Sequence, residues 1–282
     1  MGSSIYGTSV YLLSKAWYQN TPRSSFHTFN DWQEWKNMDK LGHAFTSYFE
    51  TELIYQGAMW AGMQRTSALL TAAGLAMIFQ GTIEMLDAYS AEWGFSFYDL
   101  AFNVAGIGLF TTQQIIWDQQ RIRLKVSSWS KRYPNDQIFS GNSEETTTIR
   151  TRTRELFGRS FPERFLKDYN RQTIWASFNL SSFLPRSEIP VWLNLALGYG
   201  ANNMFGGFGN EWTQENAFFS LDKQHYDRYS QFYLAPDIDW TKIPSKSKFV
   251  RTFLTVLNLF KMPSPALEFN RKDTVKLHLL HF

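Results

Sequence analysis

Polar side chains recur at helical spacing within otherwise apolar sequence in the first half of the chain. Asp39 and His43 are four residues apart, so they share one helix face, and Lys40 lies beside them. Further members of the set are Ser47, Glu50, Gln80, Glu84, Asp87, Asp99 and Asn103. Carboxylates, a histidine and a lysine that converge could perform general acid–base chemistry or hold a divalent cation.

The spacing predicts convergence, because charged groups that face an apolar interior are costly unless they are paired or bound to a ligand. Three interpretations stay open for these residues. They form a functional site, or a buried ion-pair network that fixes helix register, or some of them face water. The network would pair Lys40 with Glu84 or Asp99, and His43 with Asp87. A single histidine argues against zinc, and we predict no metal and no cofactor.

Three helices are predicted to carry these residues, joined by short connections into an antiparallel cluster. The first runs from an N-cap at Asn30 or Asp31 to about Gly62. The second follows a cap at Thr66 or Ser67 and ends near Tyr89. The third follows Ser96 and ends near Gln119, with Gly106 and Gly108 allowing close helix approach. We therefore expect an N-terminal segment 1–29 and a helical domain 30–120.

After residue 120 the spacing of apolar residues changes from the helical period to the alternation that is typical of β-strands. We predict a β-rich domain over 121–282, with a polar, mobile loop at 131–160 and a short helix at 162–170. Predicted strands cover 121–129, 173–180, 191–201, 228–240, 266–270 and 274–282, and a helix covers 247–261. The fold class is α+β, with helices covering an antiparallel sheet. The alternative is a small outer-membrane-type barrel, favoured by strand 191–201 and by the terminal Phe282.

Composition excludes several classes of protein. The 28 Lys and Arg residues against 25 Asp and Glu give a net charge of +3, too low for a nucleic-acid partner. With no cysteine, disulfides, thiolate metal sites, cysteine nucleophiles and a lipid anchor on cysteine are excluded for this chain. No run of about 18 apolar residues indicates a spanning helix. Residues 1–13 lack the basic start of a secretory leader, which leaves a cytoplasmic protein or an exported chain whose leader is not visible, and we expect the second.

Three motifs together resemble the uncharacterised YfiM-like family of predicted periplasmic lipoproteins. They are Met38-Asp39-Lys40-Leu41-Gly42-His43-Ala44-Phe45, Glu84-Met85-Leu86-Asp87, and Ser90-Ala91-Glu92-Trp93-Gly94-Phe95-Ser96 followed by Asp99-Leu100-Ala101-Phe102-Asn103. The chain is most similar to longer Bacteroidota-type members with a β-rich C-terminal part. The order Asp-Lys-x-x-His, Glu and Asp-x-x-x-Asn is also similar, over a shorter stretch, to VanZ-like membrane proteins. The resemblance implies a cell-envelope location and no established activity.

Two functions from different classes follow from these features. The favoured one is an interaction or scaffold component of an envelope assembly, with other envelope or outer-membrane proteins as partners and with lipid contact. It is favoured because the chain has no nucleophile elbow and no cofactor motif. The alternative is a hydrolase or transferase on a lipid-linked or cell-wall substrate, using Asp39, His43, Glu84 and Asp99. A closed, mutually paired cluster would favour the scaffold, and an open cleft at His43 would favour the enzyme.

Membrane association is predicted to occur through the β half and without spanning helices. Each candidate helix carries a carboxylate near its middle, which disfavours insertion. The chain is 17% aromatic, and aromatic side chains favour apolar–water boundaries. The rings predicted at such a boundary are Trp175, Trp192, Tyr199, Phe232, Tyr233 and Trp240.

Overall fold

A computed structural model describes residues 21–184, 188–272 and 275–281 of the chain. These residues divide into two compact units, one of residues 21–32 and 40–120, the other of residues 33–39 and 121–281. The helices are α1 (Met38–Trp60), α2 (Arg65–Ala88), α3 (Phe97–Trp117), α4 (Ile149–Phe157), α5 (Phe161–Lys167), α6 (Leu180–Phe183) and α7 (Lys248–Leu257). The α+β class with an N-terminal helical cluster is confirmed.

The strands form one large sheet and two small ones. They are β1 (Ile122–Ser128), β2 (Gln137–Phe139), β3 (Thr146–Thr148), β4 (Gln172–Asn179), β5 (Leu193–Asn202), β6 (Glu211–Gln214), β7 (Ala217–Ser220), β8 (Tyr229–Ile238), β9 (Ser264–Asn270) and β10 (Lys276–His281). The large sheet has the order β1-β4-β5-β8-β9-β10, and neighbouring strands are antiparallel. This sheet is open in the described residues, with β1 and β10 at its edges, so the barrel alternative is wrong. Phe282 lies outside the described residues.

In the helical unit, α2 and α3 run antiparallel. Arg65, at the start of α2, donates a hydrogen bond to the carbonyl of Gln114 near the end of α3, whereas Glu84 and Asn103 meet at the opposite ends of the two helices. Ser96 caps α3 as predicted, because its hydroxyl accepts a hydrogen bond from the amide of Asp99 at 3.0 Å.

The predicted start of the first helix is wrong by six or seven residues. A 3₁₀ turn, Glu34–Asn37, precedes α1, and Trp35, Lys36 and Asn37 all have positive φ. These left-handed residues interrupt any helix that would begin at Asn30 or Asp31. The carboxylate of Asp31 is instead used in the ion pair described below.

The polar segment 131–160 is not a loop throughout, contrary to the prediction. It contains β2, β3 and α4, and four of its apolar side chains are buried in one core with residues from β6 and β7. That core contains Tyr133, Ile138, Ile149, Phe157, Phe205, Trp212, Phe219 and Leu221. Sparse apolar residues therefore suffice to order a segment of polar composition.

Helix α2 is long and largely apolar. Its 24 residues include a window apolar enough to cross a membrane by length and composition, and only 28% of that window is buried. By this measure α2 is a candidate span, although Gln80 and Glu84 interrupt its apolar run and no 18 consecutive residues of it are apolar, as predicted. Glu84 lies near the C-terminal end of α2 and is completely buried. It therefore breaks the apolar pattern of the sequence but adds no charge to the accessible surface of the helix.

Candidate functional site

A buried lysine forms the centre of the polar cluster in the helical unit. The Lys40 side chain has no exposed surface, and its Nζ lies 2.5 Å from Oδ2 of Asp31 and 2.6 Å from Oδ1 of Asp99. Ser96 donates a hydrogen bond from its hydroxyl to Oδ1 of Asp31 at 2.6 Å. Burial raises the pKa of Asp31, but hydrogen bonds, above all those with Asp99 and Lys40, outweigh it and leave that pKa below its ordinary value.

His43 lies at the accessible side of this arrangement, one turn along α1 from Lys40. Its side chain is 17% exposed. Nδ1 lies 3.2 Å from Oδ1 of Asn103 and 3.7 Å from Oε1 of Glu84, and Nε2 lies 3.7 Å from Oδ1 of Asp99. The imidazole therefore has a carboxyl group near each ring nitrogen, an arrangement that can exchange a proton with either group.

Glu84 is an acid of the cluster whose pKa is strongly shifted. Burial raises the pKa of its carboxyl to about 8, an effect that the nearby charge of His43 opposes and the charge of Asp99 reinforces. The amide of Asn103 is 3.5 Å from Oε1, and the buried Oε2 has no hydrogen-bond partner among the described residues. The carboxyl is therefore neutral at pH 7 and can act as a proton donor.

A second carboxyl with a raised pKa, that of Glu50, lies further along the same helices. Gln80, one turn before Glu84 on α2, donates a hydrogen bond to Oε2 of Glu50 at 2.8 Å. Burial raises the pKa of Glu50 to about 7, against the opposing hydrogen bond from Gln80 and the charge of His43. The polar face predicted on α1 thus extends to Glu50.

Two further predicted residues are Asp87 and Asp39. Asp87 is half-buried, one turn after Glu84, and its charge contributes to the raised pKa of Glu84. Asp39 is grouped with the β-rich unit, where its Oδ1 accepts a hydrogen bond from the hydroxyl of Tyr169 at 2.6 Å. The structure brings Lys40, His43, Glu84, Asp99 and Asn103 together, and their predicted convergence on one helical cluster is correct for these five.

Close packing of α1 on α3 positions these groups. A Cβ atom at Gly106 would lie 2.2 Å from the carbonyl oxygen of Ala44 and 2.2 Å from Oγ of Ser47, so only glycine fits there. At Gly108, nothing lies within 4 Å of such an atom. The predicted close approach of the helices therefore depends on Gly106 and not on Gly108.

Sequence reasoning missed two members of the cluster. Asp31 was considered only as a helix cap, and Ser96 only as the cap of α3. No helical spacing links Asp31 to Lys40, since the left-handed turn lies between them. The signal in the sequence was that Asp31 is a carboxylate close to Lys40 in the chain. Such a carboxylate can compensate the charge of Lys40 when that lysine is buried.

A second buried polar network lies in the large sheet. Nζ of Lys125 is 2.7 Å from Oδ2 of Asp237, and both side chains have no exposed surface. Arg123 pairs with Asp239 at 3.3 Å, and burial raises the pKa of Asp239, but the charge of Arg123 and other contacts leave it below its ordinary value. Asp237 and Asp239 are therefore the buried counter-charges of the basic side chains on β1.

Comparison with known proteins adds one finding. A family model described as "Predicted periplasmic lipoprotein (DUF2279)" matches residues 28–113. The match includes Asp31, Lys40, His43, Glu84 and Asp99, and it does not extend into the β half. No protein with a curated description and no solved structure matches the chain. The chain is thus similar to an uncharacterised periplasmic family over its helical part, and the expected location in the bacterial cell envelope is confirmed.

Proposed function

We propose that the protein is an interaction or scaffold component of a cell-envelope assembly, and that its polar cluster fixes the arrangement of the helical unit. The observation that carries the proposal is Lys40, which is completely buried and paired with two carboxylates. A lysine held in this way cannot reach a substrate. Removing one partner of such a pair leaves an uncompensated buried charge, whereas the intact set specifies one packing of the helices.

The accessible surface of the helical unit supports contact with another envelope component. Large apolar side chains are exposed along α2 and α3, including Leu70 at 70%, Ile78 at 58% and Ile115 at 65%. Exposed apolar surface on this scale is typical of interaction sites. We propose other envelope or outer-membrane proteins as the partners.

A second candidate function is supported by the geometry at His43. Its imidazole is accessible, and it lies between Asp99 and Glu84, a carboxyl that is neutral at pH 7. Such a pair could provide the acid and base of a hydrolase or transferase acting on a lipid-linked or cell-wall substrate. The similarity to VanZ-like proteins in the order of these residues favours this candidate. We further propose that the chain is a longer YfiM-like protein.

The two candidates are separated by two variants in a strain that lacks the native gene. Lys40→Met is expected to destabilise the purified protein by about 3–5 kcal/mol in urea unfolding, because Asp31 and Asp99 lose their counter-charge. His43→Ala removes a side chain that is 17% exposed and leaves no lone buried charge at that position, so it is expected to cost much less stability than Lys40→Met and to give a folded protein.

Complementation and native complex size then decide the function. For a scaffold, His43→Ala restores growth under envelope stress and remains in a complex larger than the 32.9 kDa chain after mild cross-linking. A His43→Ala protein that is folded, abundant and assembled but fails to complement would refute the scaffold proposal in favour of the enzyme. A parent protein that migrates as a single chain in native extracts would also contradict the scaffold proposal.

A further inference from the structure

The large sheet exposes an apolar face and buries one on which ion pairs and hydrogen bonds lie beside a small apolar cluster around Trp175 and Tyr233. In the polar part of the buried face, Ser177 donates a hydrogen bond to Asp237 at 2.7 Å, and Asn194 donates one to Ser177 at 2.8 Å. Lys125 completes this network by its ion pair with Asp237. These four side chains are 0–2% exposed, so charged and hydrogen-bonding groups are buried on this face while large apolar side chains are exposed on the other.

The opposite face carries leucine, phenylalanine and proline at alternate positions. Leu197 is 51% exposed on β5 and Phe232 is 55% exposed on β8, while Leu277 on β10 is 62% exposed. The residues of β5, β8 and β9 that point this way include no charged side chain. They are Leu193, Leu195, Leu197, Tyr199, Ala201, Ser230, Phe232, Leu234, Pro236, Ile238, Pro265, Leu267 and Phe269. Polar-inside and apolar-outside alternation is characteristic of sheets that face lipid.

A groove on this face could accommodate an extended hydrocarbon chain. Its volume is about 380 Å³, and the side chains that line it are almost entirely apolar. Leu193 and Leu195 of β5, Leu234 of β8, Leu267 of β9 and Leu277 of β10 contribute to the lining. The groove therefore crosses four strands and belongs to the face as a whole.

We propose that this face, which we call the outer sheet face, contacts the acyl chains of one bilayer leaflet. Three of its strands, β5, β8 and β9, are paired on both sides, so their backbone groups need no water, as lipid contact requires. Protein interfaces depend on Trp, Tyr and Arg anchors. Tyr199 is the one such residue among the outward positions of β5, β8 and β9, and its hydroxyl already bonds the carbonyl of Lys36 at 2.6 Å.

Helix α7, in the same unit, supplies the matching headgroup chemistry. Phe249 is 80% exposed, Phe253 is 56% exposed and Val256 is 41% exposed. Lys248 and Arg251 are exposed on the same ten-residue helix. An amphipathic helix with large apolar side chains and basic residues lies in the membrane interface and is attracted by anionic lipids.

The sheet edge limits the depth of insertion. Within the described residues, β10 pairs with β9 and has no strand on its other side. Unpaired backbone amides are costly in hydrocarbon. The outer sheet face therefore enters one leaflet and the edge of β10 stays in the hydrated headgroup region.

Vesicle flotation with the full-length protein tests the proposal. Phosphatidylethanolamine vesicles that contain roughly 30% phosphatidylglycerol are compared with pure phosphatidylcholine vesicles. The phosphatidylglycerol supplies the anionic headgroups that attract basic segments. The parent protein is expected to float with both and to bind the anionic vesicles more tightly. Leu197→Gln and Phe232→Gln are each expected to weaken vesicle partitioning about tenfold, because each removes a large apolar contact with lipid.

The matched control is Phe139→Gln, since Phe139 is 69% exposed but lies on β2, outside the large sheet. It is expected to float like the parent protein, and near-ultraviolet circular dichroism checks that all three variants keep the parent fold. Protein that stays at the bottom of the gradient with both lipids overturns the proposal. The proposal is also overturned if Phe139→Gln loses as much vesicle binding as the two sheet variants do. It is likewise overturned if the parent protein binds no lipid and instead forms a concentration-dependent dimer that Leu197→Gln abolishes. The polar cluster plays no part in this test, so its failure leaves the proposed scaffold function standing.

Discussion

Replacing Glu84 by glutamine is expected to stabilise the protein near neutral pH and to remove a pH dependence of its stability. The carboxyl is completely buried, and burial raises its pKa from an ordinary value of 4.5 to about 8. Glutamine has the same shape as the protonated acid. It keeps a carbonyl oxygen that can accept the hydrogen bond from Asn103.

The sign of the effect follows from proton binding. Below pH 4.5 the carboxyl is protonated in both states, and it contributes no pH dependence. Between pH 4.5 and about 8 the unfolded chain releases this proton while the folded protein retains it, so the free energy of unfolding falls as pH rises. The decrease is about 1.4 kcal/mol per pH unit, or about 3 kcal/mol between pH 4.5 and pH 7.

Urea unfolding of the parent protein and Glu84→Gln at pH 5, 6, 7 and 8 measures this difference. The variant is expected to gain about 2–3 kcal/mol relative to the parent between pH 5 and pH 7. Glu92→Gln, an exposed position in the same unit, controls for the loss of one negative charge and is expected to change little. A Glu84→Gln protein that is less stable than the parent at pH 7, or a parent whose stability rises from pH 5 to pH 8, would show that Glu84 is ionised in the folded state.

Two further predictions concern packing and the sheet network. Gly106→Ala is expected to destabilise the helical unit by about 2–3 kcal/mol, because the added Cβ would meet the Ala44 carbonyl. Gly108→Ala is expected to be neutral or to stabilise the unit by up to about 1 kcal/mol. Thermal melts that do not distinguish the two variants would contradict this packing. Lys125→Met is expected to cost about 3–5 kcal/mol, since buried Asp237 loses its partner, and Lys125→Met combined with Asp237→Leu should recover most of that loss in urea unfolding.

Local sequence signals were sufficient to predict most of the secondary structure. Ser96 was predicted as a helix cap, and its hydroxyl accepts a hydrogen bond from the amide of Asp99. A helix was predicted from Ser247, and the hydroxyl of Ser247 caps α7 by accepting a hydrogen bond from the amide of Val250. Alternation also located all six strands of the large sheet to within two residues at each end. The β6–β7 hairpin was missed. Its turn at Glu215 and Asn216 uses two residues with positive φ and lacks the glycine that usually marks such turns.

The burial of each sheet face could not be derived from alternation. The pattern 191–201 separates large apolar residues from small and polar ones, but it does not say which set faces the interior. Trp175 and Tyr233 were predicted at an apolar–water boundary, whereas they are 0% and 5% exposed and pack against each other. Phe232 and Trp192 are exposed, as that prediction required. The outcome depends on long-range pairs such as Lys125 with Asp237, which only tertiary contacts reveal.

The same physical constraint accounts for both polar networks. Lys40 and Lys125 are each completely buried, and each has a carboxylate within 2.7 Å. Such pairs add little net stability compared with apolar residues of equal size, so their value lies in excluding other arrangements. Lys40 can be buried only where Asp31 and Asp99 meet, and Lys125 only where β1 reaches Asp237. In a chain whose apolar side chains are extensively exposed, hydrophobic burial alone would permit several packings. The charges therefore select a packing in which the apolar face of the large sheet stays exposed.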